Sequence, residues 1–277
     1  MKTIKTIFIL CVALCFATSC KKEVDMTLVQ KTVLENANIR QIEVSDAWEV
    51  TVVADSNTFV ELEYSAYLES NLKTKTEGTK LEIGFSGYVY PAINSVFRAT
   101  IHTPQIETVE ADDAAQLQCN GEFAGQHINI ALNDASRCNG LVFSGESCEI
   151  TLKSASVMTG FRFIGNSCSA VLEDASQCNS EIDASESIQI HLSDASRFVN
   201  KGGTTEQAGI HLDSASLLNM VETEVKTMEV ELTGASEATV RVTEMLSGTL
   251  KEASTLYYKG HPQTNVDCSE GSRLIPF

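Results

Sequence analysis

The chain has 277 residues, 43% of them hydrophobic, with 37 acidic against 20 basic side chains and a formal net charge of −17. Charge of that sign repels phosphate backbones and anionic headgroups, which excludes nucleic-acid binding. An apolar fraction this high, with only 4 prolines, excludes a disordered chain, and the length allows one large β domain or two small ones.

Residues 1–19, MKTIKTIFILCVALCFATS, place Lys2 and Lys5 before an apolar run that ends at Phe16, followed by small residues. This is the three-part layout of a secretory signal peptide, too short to span a bilayer. The small residues lead into Cys20 in the string Phe16-Ala17-Thr18-Ser19-Cys20, which resembles a bacterial lipobox with Ala17 where Leu is common. Cys20 is therefore the expected lipidation site. Two or more acyl chains, at roughly 0.8 kcal/mol per buried methylene, make a stable membrane anchor. Lys21, Lys22 and Glu23 resemble the charged signals that send some lipoproteins to the cell surface, and they equally suit a solvated tether. Residues 20–37 are expected to be lipidated N-terminus and linker. The lipid places the protein on the outer membrane, facing either outward or into the periplasm.

Strand-like runs follow at 42–44, 50–53, 60–64, 81–85 and 98–102. They read as irregular first coils over 38–104 that cap a regular array, or as a separate small β-sandwich.

From residue 105 onward the chain repeats itself. Asp134-Ala135-Ser136, Ser154-Ala155-Ser156, Asp174-Ala175-Ser176 and Asp194-Ala195-Ser196 are followed by Ser214-Ala215-Ser216, Gly234-Ala235-Ser236 and Glu252-Ala253-Ser254. Asp113-Ala114-Ala115 opens the series and Glu270-Gly271-Ser272 closes it, with spacings of 21, then 20 five times, then 18 twice. Two places before the tripeptides stand Leu132, Leu152, Leu172, Leu192, Leu212, Leu232 and Leu250; two places after the Ser come residues such as Cys138, Met158, Cys178 and Phe198. Apolar residues at alternate positions bury one strand face, and a fixed period marks a solenoid. The chain is therefore all-β, a right-handed parallel β-helix of about 20-residue coils, its hand taken from the usual crossover preference. With neighbouring strands about 4.8 Å apart, nine coils span on the order of 40 Å. The tripeptide is the expected corner, with Ala keeping its inside small and Ser and Asp capping backbone groups.

The strings QIEVSDAWEVTVV, TEGTKLEIGF and ATIHTPQIETVEADDAAQL, together with the Asp/Ser-Ala-Ser repeats and the closing YYKGHPQTNV, resemble the head GIN domain family of auto-transporter adhesins. The resemblance covers 38–277. It implies an exported β-helical protein of adhesin type and supplies no catalytic motif.

Three constellations invite chemistry. Asp174 and Asp194 share a corner column with Asp134, and carboxylates about 5 Å apart repel by roughly 3 kcal/mol at an effective dielectric of 20 unless they reach water, Ser or Ca²⁺. Because Ser, Gly and Glu replace Asp in other coils, corner capping accounts for the column without a metal. His191, His211 and Glu231 form an outward column of zinc- or iron-type ligands, but a straight ladder whose ends start about 10 Å apart converges poorly. That column reads as an exposed ladder. Arg137 and Arg197 lie beside acidic corners, as in β-helical polysaccharide lyases, yet no inserted loop builds a cleft around them. No Gly-x-Ser-x-Gly elbow or nucleotide-binding glycine pattern occurs. Cys119, Cys138, Cys148, Cys168, Cys178 and Cys268 remain beyond the leader. Most stand in for aliphatic residues and read as buried thiols, with a stacked pair such as Cys148–Cys168 as the alternative that an exported compartment allows.

The sequence thus predicts a lipid-anchored, non-enzymatic envelope protein, adhesin-like, that binds a protein or glycan through an acidic outward face. No catalytic residue, cofactor or metal is assigned. A structural envelope component without an external ligand is the alternative, and a polysaccharide-active enzyme the second.

Overall fold

The computed structural model describes residues 24–277. Cys20 and the leader lie outside the described residues.

Nine strands build the first part: β1 (Leu28–Val33), β2 (Gln41–Val44), β3 (Glu49–Ala54), β4 (Phe59–Ser65), β5 (Leu72–Glu77), β6 (Lys80–Phe85), β7 (Phe97–Thr103), β8 (Thr108–Ala111) and β9 (Gln116–Asn120). β2 lies between β6 and β8, and β3 between β7 and β9, all in parallel. The Asp46-Ala47 corner between β2 and β3 is therefore a true coil, stacked directly beneath β8–β9. Chain order and stacking order differ here because residues 55–107 leave and return on the outer side. The outer edges close with antiparallel pairs: β4 on β7, β1 on β4, and β5 on β6. β2 and β3 thus pair both with the outer strands and with the first regular ones, in one continuous sheet. Leu28–Val33, within the segment expected as linker, is its edge strand. Trp48, wholly buried, packs with Phe85 and Phe97 at centroid distances of 5.7 and 6.1 Å and fills the cap's interior.

The regular coils follow through β10 (Glu122–Ala124), β11 (His127–Leu132), β12 (Arg137–Asn139), β13 (Val142–Leu152), β14 (Val157–Leu172), β15 (Gln177–Leu192), β16 (Arg197–Asn200), β17 (Thr204–Leu212), β18 (Leu217–Leu232), β19 (Glu237–Leu250), β20 (Thr255–Lys259), β21 (Gln263–Cys268) and β22 (Arg273–Pro276). Each pairs in parallel with the equivalent stretch of the next coil, so Leu132, Leu152, Leu172 and Leu192 stack in register. The expected Leu column is completely buried. A second inward column runs Leu117–Cys138–Met158–Cys178–Phe198–Leu218.

The corners differ from the expectation in one respect. Asp134 and Ala135 both have positive φ, 48° and 62°, and the Ser136 N–H donates to the Asn133 carbonyl at 3.1 Å. Positive φ at both central residues is the backbone of a type I′ turn, and it recurs at every corner from Asp46-Ala47 to Glu270-Gly271. The turn turns its first two side chains outward. Ala is therefore exposed, and the following Ser is the small residue inside, fully buried from Ser136 to Ser254. A left-handed residue costs roughly 1–2 kcal/mol. The stack offsets this, because each Ala N–H donates to the next corner's first-residue carbonyl: Ala135 to Ser154 at 2.8 Å, Ala155 to Asp174 at 2.8 Å, Ala175 to Asp194 at 2.8 Å.

Candidate functional site

Register converts the repeat into long rows of like position, and the rows differ in chemistry. On the face just after the corners, one outward row reads Gln30–Glu63–Arg98–Glu49–Gln116–Arg137–Val157–Gln177–Arg197 and continues through Leu217 to Arg273. Two residues along, the neighbouring row is Thr32–Glu61–Thr100–Thr51–Gln118–Asn139–Thr159. Arg137 and Arg197, set against the acidic corners in the sequence, thus belong to a single row with Arg98 and Arg273.

The cap end of this face forms an open groove of about 1000 Å³. Its floor is a chain of side-chain hydrogen bonds: Thr159 Oγ1 donates to Asn139 Oδ1 at 2.8 Å, and Asn139 Nδ2 to Gln118 Oε1 at 2.6 Å. At the outer end Arg98 Nε donates to Glu49 at 2.7 Å and its Nη1 reaches Glu63 at 3.4 Å. These carboxylates hold the guanidinium pKa above its ordinary value, Glu49 contributing most. Arg137 carries no such partner among the described residues. The groove thus offers amide, hydroxyl and guanidinium groups on rigid strands, a set suited to hydrogen-bonding a polar ligand.

Acidity is concentrated beside it, along the corners. Asp113, Asp134, Asp174, Asp194, Glu252 and Glu270 occupy the exposed first left-handed position. Backbone groups close the turns, so the Asp side chains of 134, 174 and 194 are surface charges and not the caps expected of them; Asp46, which accepts the Phe85 N–H at 2.7 Å, and Glu252, which accepts the Gly234 N–H at 3.2 Å, do cap backbone groups. Carboxylates of Asp112, Asp113 and Asp134 come within 4.8 Å of one another. Burial, followed by the hydrogen bond and charge from Asp134, pushes the Asp112 carboxyl above the usual range despite the opposing Asp113 N–H bond.

The histidine column is built as the register predicts, with His191 opposite His211 and His211 opposite Glu231. The two imidazoles stack at 4.5 Å with 10° between planes, and His211 Nδ1 lies 3.1 Å from Glu231 Oε2. The residue that joins both histidines within 4.8 Å is Asp213. It is not visible in the His191–His211–Glu231 ladder, because Asp213 stands two places after His211, just past the end of β17.

Of the six cysteines beyond Cys20, five are buried and Cys268 is exposed, all as free thiols. Burial, with a smaller contribution from Cys168, pushes the Cys178 thiol up to about 12. Cys148 and Cys168 face each other in register without a bond between them, both packed in the core as aliphatic stand-ins. No described helix is long and apolar enough to cross a membrane.

Fold and surface together define a parallel β-solenoid with chemically distinct outward faces. The chain belongs to the family described as "Putative auto-transporter adhesin, head GIN domain", whose model matches residues 38–262. A putative adhesin from Parabacteroides merdae is similar over 92% of this chain and 98% of its own, with a TM-score of 0.67 at 15% identity. A putative adhesin from Parabacteroides distasonis gives 0.59 at 17% identity over 91% and 98%. A protein of the same organism titled a putative lipid binding protein gives 0.65 at 11% identity over 91% and 97%. At such identities the likeness is one of fold. No functionally curated protein matches the sequence. The family and these structures are described as adhesins or a binding protein and not as enzymes, which fits an adhesin-like protein of the cell envelope or surface.

Proposed function

We propose that the chain is a lipid-anchored, non-enzymatic adhesin-like protein of the outer membrane, tethered through Cys20, that binds a protein or glycan through its outward rows. The observation that carries the reading is the groove: amide and hydroxyl side chains from successive strands are already hydrogen-bonded to one another, so little rotamer freedom is lost on binding. The acidic corner edge beside it selects against polyanionic ligands and favours neutral or basic ones.

The cap end supports the tether. Asp25 accepts the Tyr67 N–H at 3.1 Å, and the Tyr67 hydroxyl lies 2.5 Å from Ser95 Oγ and accepts the Ala92 N–H at 2.7 Å. The segment around Asp25 and the loop of residues 86–96 are thus both fastened to Tyr67, the first at its backbone and the second at its side chain. That loop exposes Tyr88, Tyr90 and Ile93, residue types suited to a membrane interface.

The test is a screen of the purified chain against immobilised extracellular proteins and glycans. The reading expects binding that a paired Gln118→Ala, Asn139→Ala change weakens by about tenfold or more, while Lys226→Ala, remote from the groove, leaves it unchanged. Absence of any binding, or binding indifferent to the groove variant, contradicts it and points to an assembly role.

A further inference from the structure

We propose that His191, His211 and Asp213 form a binding site for a zinc-class divalent ion on the outer face of the solenoid, with Glu231 orienting His211. A straight ladder of three ligands does not converge, which is why the sequence pattern by itself argues against a metal. The structure supplies a different third ligand. Asp213 follows His211 by two positions, on the same side of the strand, at the point where the chain enters the Asp213–Ser216 turn. One ligand atom from each of the three lies within 4.8 Å of the other two. Zinc takes nitrogen and oxygen at about 2.0–2.2 Å, so tetrahedral ligand atoms stand roughly 3.3 Å apart, and side-chain rotations of 1 to 1.5 Å close the site.

Two further features point the same way. His211 Nδ1 faces Glu231 Oε2 at 3.1 Å; with the Nδ1 proton held by that carboxylate, Nε2 is the nitrogen left for a metal, the carboxylate–imidazole arrangement that fixes the tautomer of metal-bound histidines. His191 and His211 stack at 4.5 Å with nearly parallel planes, and because a metal lies in the plane of each imidazole, one ring turns about its side-chain torsions to bring both nitrogens onto one ion. The ion would sit at the edge of a shallow groove of about 570 Å³ that both histidines line. Gly209 opens that groove: a Cβ there would meet Gln189 Oε1 at 2.1 Å, so the absent side chain leaves room for the Gln189 amide beside the histidines. A fourth position, open to water, remains for a ligand group, which makes the site a candidate contact point on an otherwise flat sheet.

The experiment is zinc titration by calorimetry on tag-free, chelator-treated protein, with Co²⁺ as spectroscopic probe. The proposal expects one Zn²⁺ per chain and visible cobalt bands without thiolate charge transfer. His191→Ala and His211→Ala should each weaken binding at least tenfold, Asp213→Asn about tenfold, and Glu231→Gln by a smaller but measurable factor, of order threefold to tenfold. All four positions are at least partly exposed, so metal-free variants should melt within a few degrees of the parent. Affinity unchanged by both histidine variants overturns the proposal. So does metal binding abolished instead by Asp112→Asn or by Cys268→Ser, which would place the ion at the acidic corner or the exposed thiol.

Discussion

The corner is where single residues determine whether the coils can stack. Two successive left-handed residues are tolerable because Asp or Ser opens the turn and unbranched Ala follows, and because the Ala N–H is tied to the next coil. The buried Ser behind them is less uniform. Ser254 Oγ donates to the Leu232 carbonyl at 3.0 Å and Ser272 Oγ to Leu250 at 2.8 Å, whereas the hydroxyls of Ser136, Ser176, Ser196 and Ser216 are buried without a partner. A satisfied buried hydroxyl contributes about 1 kcal/mol, and an orphaned one costs a comparable amount. Ser254→Ala should therefore lower stability by about 1 kcal/mol, while Ser176→Ala should be neutral or slightly stabilising. Paired denaturant melts of the two variants check this, and equal losses would show that the Ser176 hydroxyl has a partner after all. The tripeptide itself was legible from its spacing. Which of its residues faces inward was not, because the inversion depends on a backbone conformation that Ala rarely adopts.

Strands with one buried face and an in-register neighbour were legible for the same reason that they are stable: like residues stack on like. Leu172 sits at zero exposure between Leu152 and Leu192, so Leu172→Asp places an unpaired charge in the column's centre. Loss of the apolar contacts plus burial of the carboxylate should cost more than about 4 kcal/mol and unfold the central coils. A variant that melts like its parent by circular dichroism would refute the register. The cap was less readable. β1 alternates poorly, nearly every residue being exposed or half-buried at the sheet edge, so nothing in LVQKTV separates a strand from a tether. Where a coil's strand is interrupted, between β16 and β17, buried polar groups take over. Asn200 is 2% exposed and bonds Ile182 N–H at 2.7 Å, the Ile182 carbonyl at 3.0 Å, Gly202 O at 2.8 Å and Thr223 Oγ1 at 2.9 Å. Apart from Gly202, those partners lie 18 to 23 residues away, beyond any local pattern.

At the scale of the molecule, the repeat turns a net charge of −17 into geography. A line of Asp and Glu runs along the corner edge, while the adjacent face carries Gln, Asn and Thr with Arg98, Arg137, Arg197 and Arg273 interspersed with Glu49 and Glu63. Composition gives only the sum; register gives each acid its place, a line of carboxylates along the corners and others, such as Glu49, Glu63, Glu181 and Glu231, on the faces between them. The candidate groove was invisible for a related reason, since Gln118, Asn139 and Thr159 are ordinary polar residues until stacking aligns them. Asp213 reaches the histidines from the start of a corner turn, just past the end of β17, and not from the ladder of stacked positions.

The central claim is that these faces are presented outside the cell by a protein anchored at Cys20. Protease treatment of intact cells, with a lysed control, tests it most directly. The account predicts digestion of the solenoid on intact cells to the same extent as after lysis. Protection until the cells are broken would place the protein in the periplasm and contradict the adhesin reading.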